Sequence, residues 1–561
     1  QKTVTLIYLL KSLPKQVFYY IIISKKSVNI KKFVTFFILL IFIYVYTYDI
    51  LVMLMKKRHN SDSFFLSTLI IIVSGFVIKL LGLINKITMT RMLGTSGMRL
   101  YILSFPTIML FVSISGFSLY ITISKLVAES VITKRYSQKK ILSESFKLSF
   151  LISLIVDIIY FSMLKPLVIY FLKDEDLYFP LLTALLLIPL VGISDGLKGY
   201  FNGLKNTMTV AMGNLSEQVA RIFFSIALLF ITLPYGNVVA TTSTLLALSL
   251  GELVAIIYCL IKLKKNPPID FPNTSGELKA ILNISIPNTL SRILGNFTYF
   301  LEPIIYTCIL SYLGYDVLTI HTEYTIIDAY SIPLLTFISF LPVAIASSIV
   351  PGLTQAVVKK QSKAINYYIK KVILFSIVPS ILLACNLFFY AKDYMNFIYK
   401  TTQGTKWVKY FTFVFICYYT HIPIISILQT IGKHTYVFWT STIINFSRLL
   451  LIVILAFTSD KPLDSVIIAT VIAMVLGFII HIIHLFKITK YRTSVTNIIN
   501  LGCISVLTFG ICFILNHFNI NFLIVLCISS LVYFTLCILF KLIWIESLFA
   551  FVKKHLKLAN K

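Results

Sequence analysis

From Phe64 to about residue 545 the chain is a succession of apolar stretches broken by short polar or charged connections. A helix that crosses a bilayer needs about 20 largely apolar residues, so each stretch predicts a membrane-spanning helix. The stretches fall at 64–84, 100–123, 148–172, 179–197, 213–233, 240–261, 280–313, 325–357, 372–391, 408–430, 435–457, 465–486, 495–516 and 520–545. The predicted fold is an all-α polytopic membrane protein of about fourteen helices.

Composition agrees, with 58% hydrophobic and only 13% charged residues among 561. Those values exclude an ordinary soluble enzyme, a secreted module and a disordered scaffold. The net charge of +29 changes the picture only in how it is spread. Basic runs sit between the apolar stretches, as in cytoplasmic loops of a polytopic protein, and predict topology rather than nucleic-acid binding. The eight cysteines all lie inside apolar stretches without CxxC spacing and read as small buried hydrophobes.

The connections alternate in charge. One set holds Lys56 to Arg58, Lys134 to Lys140, Lys262 to Lys265, Lys359 to Lys363, Lys487 to Arg492 and the tail from Lys553. The other is neutral or acidic, as in Asp174-Glu175-Asp176, Pro234 to Asn237 and Gly314 to Tyr324. The positive-inside rule makes the first set cytoplasmic, with both ends of the helical body inside a bacterial cytoplasmic membrane. Two connections oppose the rule: Lys86, Arg91 and Arg99 after the first helix, and Lys392, Lys400, Lys406 and Lys409 after the ninth. Residues 1–54 also fit poorly, because a span at 33–54 would leave Lys2 to Lys32 outside. They are expected to be an extension preceding a natural start at Met53 or Met55, with an extra helix as the alternative.

The helical body repeats. Lys79-Leu-Leu-Gly82 recurs as Arg292-Ile-Leu-Gly295, Ser104-Phe-Pro106 as Ser331-Ile-Pro333, and Lys205-Asn-Thr207 with Arg221 as Lys433-His-Thr435 with Arg448. Three ordered matches predict two parallel six-helix halves, 55–265 and 266–490, followed by an appended pair and basic tail over 491–561. Parallel halves that rock against one another give alternating access, which points to a transporter.

A charge at the bilayer centre costs about 2.5 to 3.5 kcal/mol, so intramembrane ions face a cavity or a partner. Gly75, Lys79, Gly82 and Lys86 share one face of the first helix, and Asn288, Arg292, Gly295, Tyr299 and Glu302 repeat that face in the seventh. Small residues beside a cation fit a wall of a hydrated cavity between the halves; the alternative is snorkelling cations and simple helix contacts. Ser115, Ser118, Thr122 and Lys125 form a further stripe, although membrane Ser and Thr more often bond their own backbone. Asp157 and Asp328 are either functional or partners to a cation. Glu302 precedes Pro303, which frees a backbone carbonyl, so it is either a Na⁺ or H⁺ coupling site or an ion pair with a neighbouring helix. His481 and His484 lack a third ligand and read as interfacial rather than metal-binding.

The stretch Gly82-Leu-Ile-Asn-Lys86, Gly94-Thr-Ser-Gly97, Tyr101 and Phe105-Pro106, then Ile123-Ser-Lys-Leu-Val-Ala-Glu129, resembles the opening of the stage V sporulation protein B and polysaccharide exporter family. Gly199-Tyr-Phe-Asn-Gly203-Leu-Lys-Asn206, Glu217-Gln-Val-Ala-Arg221 and Asn296-Phe-Thr-Tyr-Phe-Leu-Glu-Pro303 resemble its later signatures. The chain departs from that pattern at Ser96, where an acid is common, at Arg99, where glycine is common, and at Tyr120 and Thr209, where proline is common. The resemblance implies the fold of the multidrug, oligosaccharidyl-lipid and polysaccharide exporter superfamily, including the lipid II flippase branch with its two extra helices. It also implies that cationic residues contact a substrate pyrophosphate, a role it would give to Lys79, Lys86 and Arg292.

The expected function is a flippase for a polyprenyl-diphosphate-linked sugar, a peptidoglycan precursor or a polysaccharide unit. Lys79, Lys86, Arg292, Lys125 and Asn288 are the expected substrate-binding residues, and Glu302 and Asp328 the expected ion-coupling ones. The partners are a lipid-linked anionic sugar and membrane lipids, without nucleic acid, metal or a cofactor beyond a coupling Na⁺ or H⁺. A cation-coupled drug exporter should carry more intramembrane acids than bases. A membrane enzyme of cell-wall assembly should carry a catalytic pair near a membrane surface, for which the short loops offer no candidate. A scaffold without transport activity is the remaining alternative.

Overall fold

The computed structural model describes residues 40, 42–50, 63–271, 275–339, 342, 352–357, 359–491 and 495–540. Among them the chain is all-helical. In chain order the helices are α1 (Ser63–Ser115), α2 (Leu119–Thr133), α3 (Gln138–Pro166), α4 (Tyr178–Leu182), α5 (Ala184–Gly203), α6 (Thr207–Thr232), α7 (Asn237–Lys265), α8 (Glu277–Tyr312) and α9 (Val317–Thr325). There follow α10 (Ile332–Leu335), α11 (Ser362–Tyr399), α12 (Thr405–Phe411), α13 (Phe415–Thr430), α14 (His434–Thr458), α15 (Ser465–Thr489), α16 (Val495–His517) and α17 (Phe522–Leu539).

The described residues contain eleven helices long and apolar enough to cross a membrane, or up to twelve with the bent pair α12 and α13 taken as one span, against about fourteen expected. Two features account for the difference. The first of the eleven, Val73–Thr133, has 61 residues; as one straight rod it would be about 90 Å long. It is instead broken at Gly94, whose φ of 63° and ψ of −169° divide α1 into two legs. Positive φ carries no side-chain penalty at glycine, which is why the turn falls there. The expected span 325–357 also runs through residues outside the described set, and its described part is not one regular helix: a π-helical segment, Ile326–Ser331, joins α9 to α10.

Of the N-terminal extension, residues 42–50 are helical and lie against α6, where the Tyr44 hydroxyl and Ser216 Oγ are 3.2 Å apart. Met53 and Met55 lie outside the described residues.

Packing follows composition. α5 carries Gly192, Gly196, Gly199 and Gly203 towards α2 and α3, and a methyl group added at Gly199 would stand 2.7 Å from the Tyr120 carbonyl oxygen. Small residues let membrane helices approach this closely, and Asn202 Nδ2 then donates to Ser124 Oγ at 2.8 Å. The Gly199 to Asn206 signature is thus the seam between α5 and α2. By contrast α14 turns Trp439, Ile443, Phe446, Leu450, Ile454 and Phe457 outwards, a helical stripe suited to lipid. The last pair, α16 and α17, packs on α11. The first region meets the second where α1, α2 and α3 touch α8, and where α1 touches α9.

The two classes of connection separate to opposite ends. Thr95, Ser96, Arg99, Asp174, Asn237 and His321 gather at one end: Asn237 Nδ2 donates to Ser96 Oγ at 2.8 Å, Arg99 pairs with Asp174, and His321 Nδ1 lies 3.4 Å from Asp174. At the other end Ser137 caps α3 and its hydroxyl donates to Asp270 Oδ1 at 2.7 Å. That bond, helped by Lys139, holds the Asp270 carboxyl below its ordinary range.

Four of the seven basic residues that oppose the charge rule have polar or ionic partners. Lys86 is inside the protein, Arg91 donates to the carbonyls of Phe397 and Ile398, and Arg99 is neutralised by Asp174 and Asp176. Lys406 lies 3.5 Å from Asp464.

Candidate functional site

A cavity of about 280 Å³ opens where both legs of α1 meet α6, α7, α8 and the segment Ile326–Ser331. Its wall includes Gly82, Asn85, Lys86 and Met89 from the first leg and Tyr101, Ile102 and Phe105 from the second. Gln218, Arg221 and Ser225 come from α6, Thr244 and Leu248 from α7, Tyr299 from α8 and Asp328 from the π segment. The break at Gly94 is what brings both legs of α1 to one wall. Gly82 leaves room for the Gln218 amide, which would stand 3.5 Å from a methyl group added there.

Of the seven expected site residues, two form this wall. Lys86 reaches across the cavity and donates to the Asp328 carbonyl at 3.5 Å. Lys79 and Arg292 are not in the wall. Each is exposed, two helical turns from a wall residue of its own helix, Lys86 and Tyr299 respectively, and on the same face. Arg292 lies within electrostatic reach of Asp195 on α5. Among the described residues nothing comes within 4 Å of a methyl group built on Gly75 or Gly295, so those two are not close helix contacts, whereas Gly82 meets the Gln218 amide of α6.

The other expected residues are engaged or remote. Asn288 turns its amide back to the Ile284 carbonyl at 2.7 Å, and Lys125 is exposed on α2 outside the cavity wall. The hydroxyl stripe of the second helix is a helix contact: Ser115 donates to the Ile188 carbonyl at 2.8 Å, Thr122 and Ser285 are 2.8 Å apart, and Thr289 donates to Ser118 at 3.3 Å. Glu302 is buried with Arg448 Nη2 at 2.5 Å and the Tyr324 hydroxyl donating at 3.4 Å. That is the structural partner anticipated as the alternative to ion coupling. Asp157 has no ion pair among the described residues.

Sequence reasoning missed a buried charged group of four residues. Lys198 on α5 donates to Glu217 at 2.6 Å and lies 3.5 Å from Glu252 on α7, while Arg221 pairs with Glu217 and approaches Glu252 at 4.0 Å. Arg221 connects this buried network to the cavity wall. A signal for it was present, because Arg221 and Arg448 are matching points of the repeat. The sequence places His481 at the interface, but it is fully buried, 2.7 Å from His421 and 2.7 Å from Thr440. Among the described residues no group of three or more metal-ligating side chains assembles.

Residues 65–314 match the polysaccharide biosynthesis protein family. Over 460 residues, 79% of this chain and 89% of the relative, the sequence is 27% identical to stage V sporulation protein B of Bacillus subtilis (strain 168). The chain is related to the stage V sporulation protein B and polysaccharide exporter family. Its fold is that of lipid II flippase MurJ in an inward closed conformation, with a TM-score of 0.64 at 15% identity, covering 84% of this chain and 98% of that one. An inward-facing multidrug resistance MATE family transporter of the MOP superfamily gives a TM-score of 0.54 at 16% identity, covering 74% and 96%. The protein is therefore a multi-pass membrane protein of transporter fold.

Proposed function

We propose that this protein is a flippase that moves a polyprenyl-diphosphate-linked sugar across the cytoplasmic membrane by alternating access between two six-helix halves. The observation that carries the reading is the placement of Lys79, Lys86 and Arg292 along two facing helices, with Lys86 in the cavity wall and the other two along the same faces. Cations held in a membrane protein need an anionic partner or water, and a diphosphate supplies four oxygen atoms able to accept charge-assisted hydrogen bonds. Lys79 and Arg292 receive the diphosphate at the cavity mouth. Arg292 offers a planar fork and Lys79 a point charge, so the two are not interchangeable. Asp328 faces the cavity and is the better placed of the two proposed coupling acids, because Glu302 would first have to leave Arg448.

The test is a proteoliposome assay with labelled polyprenyl-diphosphate sugars, scored by what becomes accessible on the far leaflet. Arg292→Ala is expected to abolish transport with the protein still in the membrane, and Arg292→Lys to restore part of it. Full transport in the Lys79→Ala, Arg292→Ala double variant overturns the diphosphate role. Transport of organic cations in place of the sugar lipid establishes the drug-exporter reading instead. Orientation is tested with cysteines at the exposed positions Lys134, Gln361 and Tyr235: only the last is expected to react with an impermeant thiol reagent in intact cells.

A further inference from the structure

Three of the lysines that oppose the charge rule, Lys392, Lys400 and Lys409, are exposed, and among the described residues none of them forms an ion pair. They lie at the end of the molecule that the rule leaves outside, since the neighbouring Phe397 and Ile398 carbonyls accept from Arg91 and Gln403 accepts from Thr95 at 2.9 Å. Insertion disfavours cations on that side, so three kept there without a carboxylate call for an anionic partner from elsewhere.

Lys392 and Lys409 come together. The apolar stretch of α11 ends just before Lys392 and that of α12 and α13 begins just before Lys409, so both stand at the outer limit of the apolar layer. α12 is bent by 66° from α13; it buries Trp407 and Val408 and turns Lys406, Lys409 and Tyr410 outwards. Such a helix, with tyrosine and lysine on its open side, suits a membrane–water boundary. Lys409 Nζ stands 5.4 Å from the centroid of the Phe388 ring, within cation–π range. Along α11 the accessible side repeats at Phe388, Lys392 and Asn396, which puts Lys392 one turn, about 6 Å, outward of that ring. The nearby charges are placed elsewhere. Lys406 lies 3.5 Å from Asp464, and Asp393 is about 100° further round α11, on the side where Phe389 and Phe397 meet α16 and α17.

Inward of the two ammonium groups the surface is aromatic. The Phe388 ring lies 5.5 Å from Phe413 and 5.6 Å from Phe509, centre to centre, and Phe413 and Phe513 are exposed. Two cations at headgroup level beside an open apolar surface match a molecule with an anionic head and acyl chains. We propose that Lys392 and Lys409 hold the phosphate of an anionic phospholipid in the outer leaflet, with its chains lying over Phe413 and Phe513. A zwitterionic phospholipid carries its own cation next to the phosphate and is held less well. The site is separate from the cavity, and its occupant is a lipid of the surrounding bilayer, whatever substrate the protein moves.

The experiment places the photoreactive p-benzoylphenylalanine at Phe413 of the full chain, in nanodiscs of equal parts phosphatidylglycerol and phosphatidylcholine. Mass spectrometry then reads which lipid is captured on irradiation. One lysine near an anionic lipid surface is worth about a factor of five, so the pair should give about a 25-fold excess of phosphatidylglycerol. Lys392→Gln alone should lower the excess to about fivefold, and Lys392→Gln with Lys409→Gln should bring the ratio to about one. Lys264→Gln with Lys265→Gln removes the same charge from the opposite end and should leave the excess unchanged. All four lysines are exposed, and thermal unfolding confirms that each variant is folded. A wild-type ratio of one, an excess that survives in the Lys392, Lys409 variant, an equal fall in the Lys264, Lys265 variant, or no adduct with either lipid overturns the site. Loss of the excess in inorganic phosphate at fixed ionic strength makes a free anion the occupant, and preferential capture of added polyprenyl diphosphate makes the substrate the occupant; either result overturns the phospholipid.

Discussion

Arg221 and Arg448 occupy matching points of the repeat and both pair with a glutamate, but their surroundings differ. Arg221 belongs to a buried group of four, with Lys198, Glu217 and Glu252, drawn from α5, α6 and α7. Arg448 has Glu302, with the Tyr324 hydroxyl on the other carboxylate oxygen. Where the first region has stacked charge upon charge, the second uses neutral groups: His421, His481 and Thr440 hydrogen-bond in series, and the Tyr436 ring stacks on His484 with centroids 3.7 Å apart. The cavity follows the charge, since most of its wall comes from α1, α6 and α7. Similar helices in similar places have thus been given different interiors, one rigidly ionic beside the proposed substrate and one held by weaker and more separable bonds.

That contrast predicts the largest loss at Lys198. Lys198→Met leaves Glu217 and Glu252 facing each other in a buried site, and breaking a buried ion pair by removing one partner costs about 3–5 kcal/mol. Thermal or denaturant unfolding of the detergent-purified protein measures it, and adding Glu252→Gln should recover part of the loss. Arg448→Met should cost less, about 1–3 kcal/mol, because Tyr324 still donates to Glu302 and a lone carboxyl can take up a proton. Equal losses at Lys198 and Arg448 would break the comparison. Glu302→Gln sharpens it: as a structural partner only, Glu302 should lose stability without changing the ion dependence of transport, whereas a coupling acid would lose that dependence.

The histidine chain joins three helices: His481 on α15 stands 2.7 Å from His421 on α13 and 2.7 Å from Thr440 on α14. His481→Phe should leave both the His421 ring nitrogen and the Thr440 hydroxyl without this partner and cost about 1–2 kcal/mol, read from the same unfolding curves. The smallest effect is expected at the loop between α7 and α8. Ser137→Ala removes the hydroxyl that holds the Asp270 carboxyl low, so its titration, followed by carboxyl-selective NMR, should move up towards an ordinary aspartate. Since a depressed carboxyl stabilises the fold above its unfolded value and loses that contribution as pH falls through the folded one, the variant should show a weaker decline in stability on acidification.

Asp174 was legible only as part of an acidic connection, and Arg99 only as a charge on the wrong side of the membrane. Each made sense once the chain placed them together, and Arg99 stands where the resembling family commonly has glycine. The same holds for Lys198, which is one lysine in a glycine-rich signature until α6 and α7 bring two carboxylates to it. By itself the sequence determined the all-helical membrane class, the alternation of its loops, the matching stripes on two helices and the family to which the chain is related. These are properties of local hydrophobicity and of spacing along one helix, which a bilayer turns directly into structure. Only the tertiary structure decided that Lys86 reaches the cavity wall while Lys79 and Arg292 stand outside it, that Glu302 pairs with Arg448, and that Lys198 meets two carboxylates. Those facts depend on which helix faces which, and a charge or amide in a low-dielectric interior takes its role from the partner it meets there rather than from its neighbours in the chain.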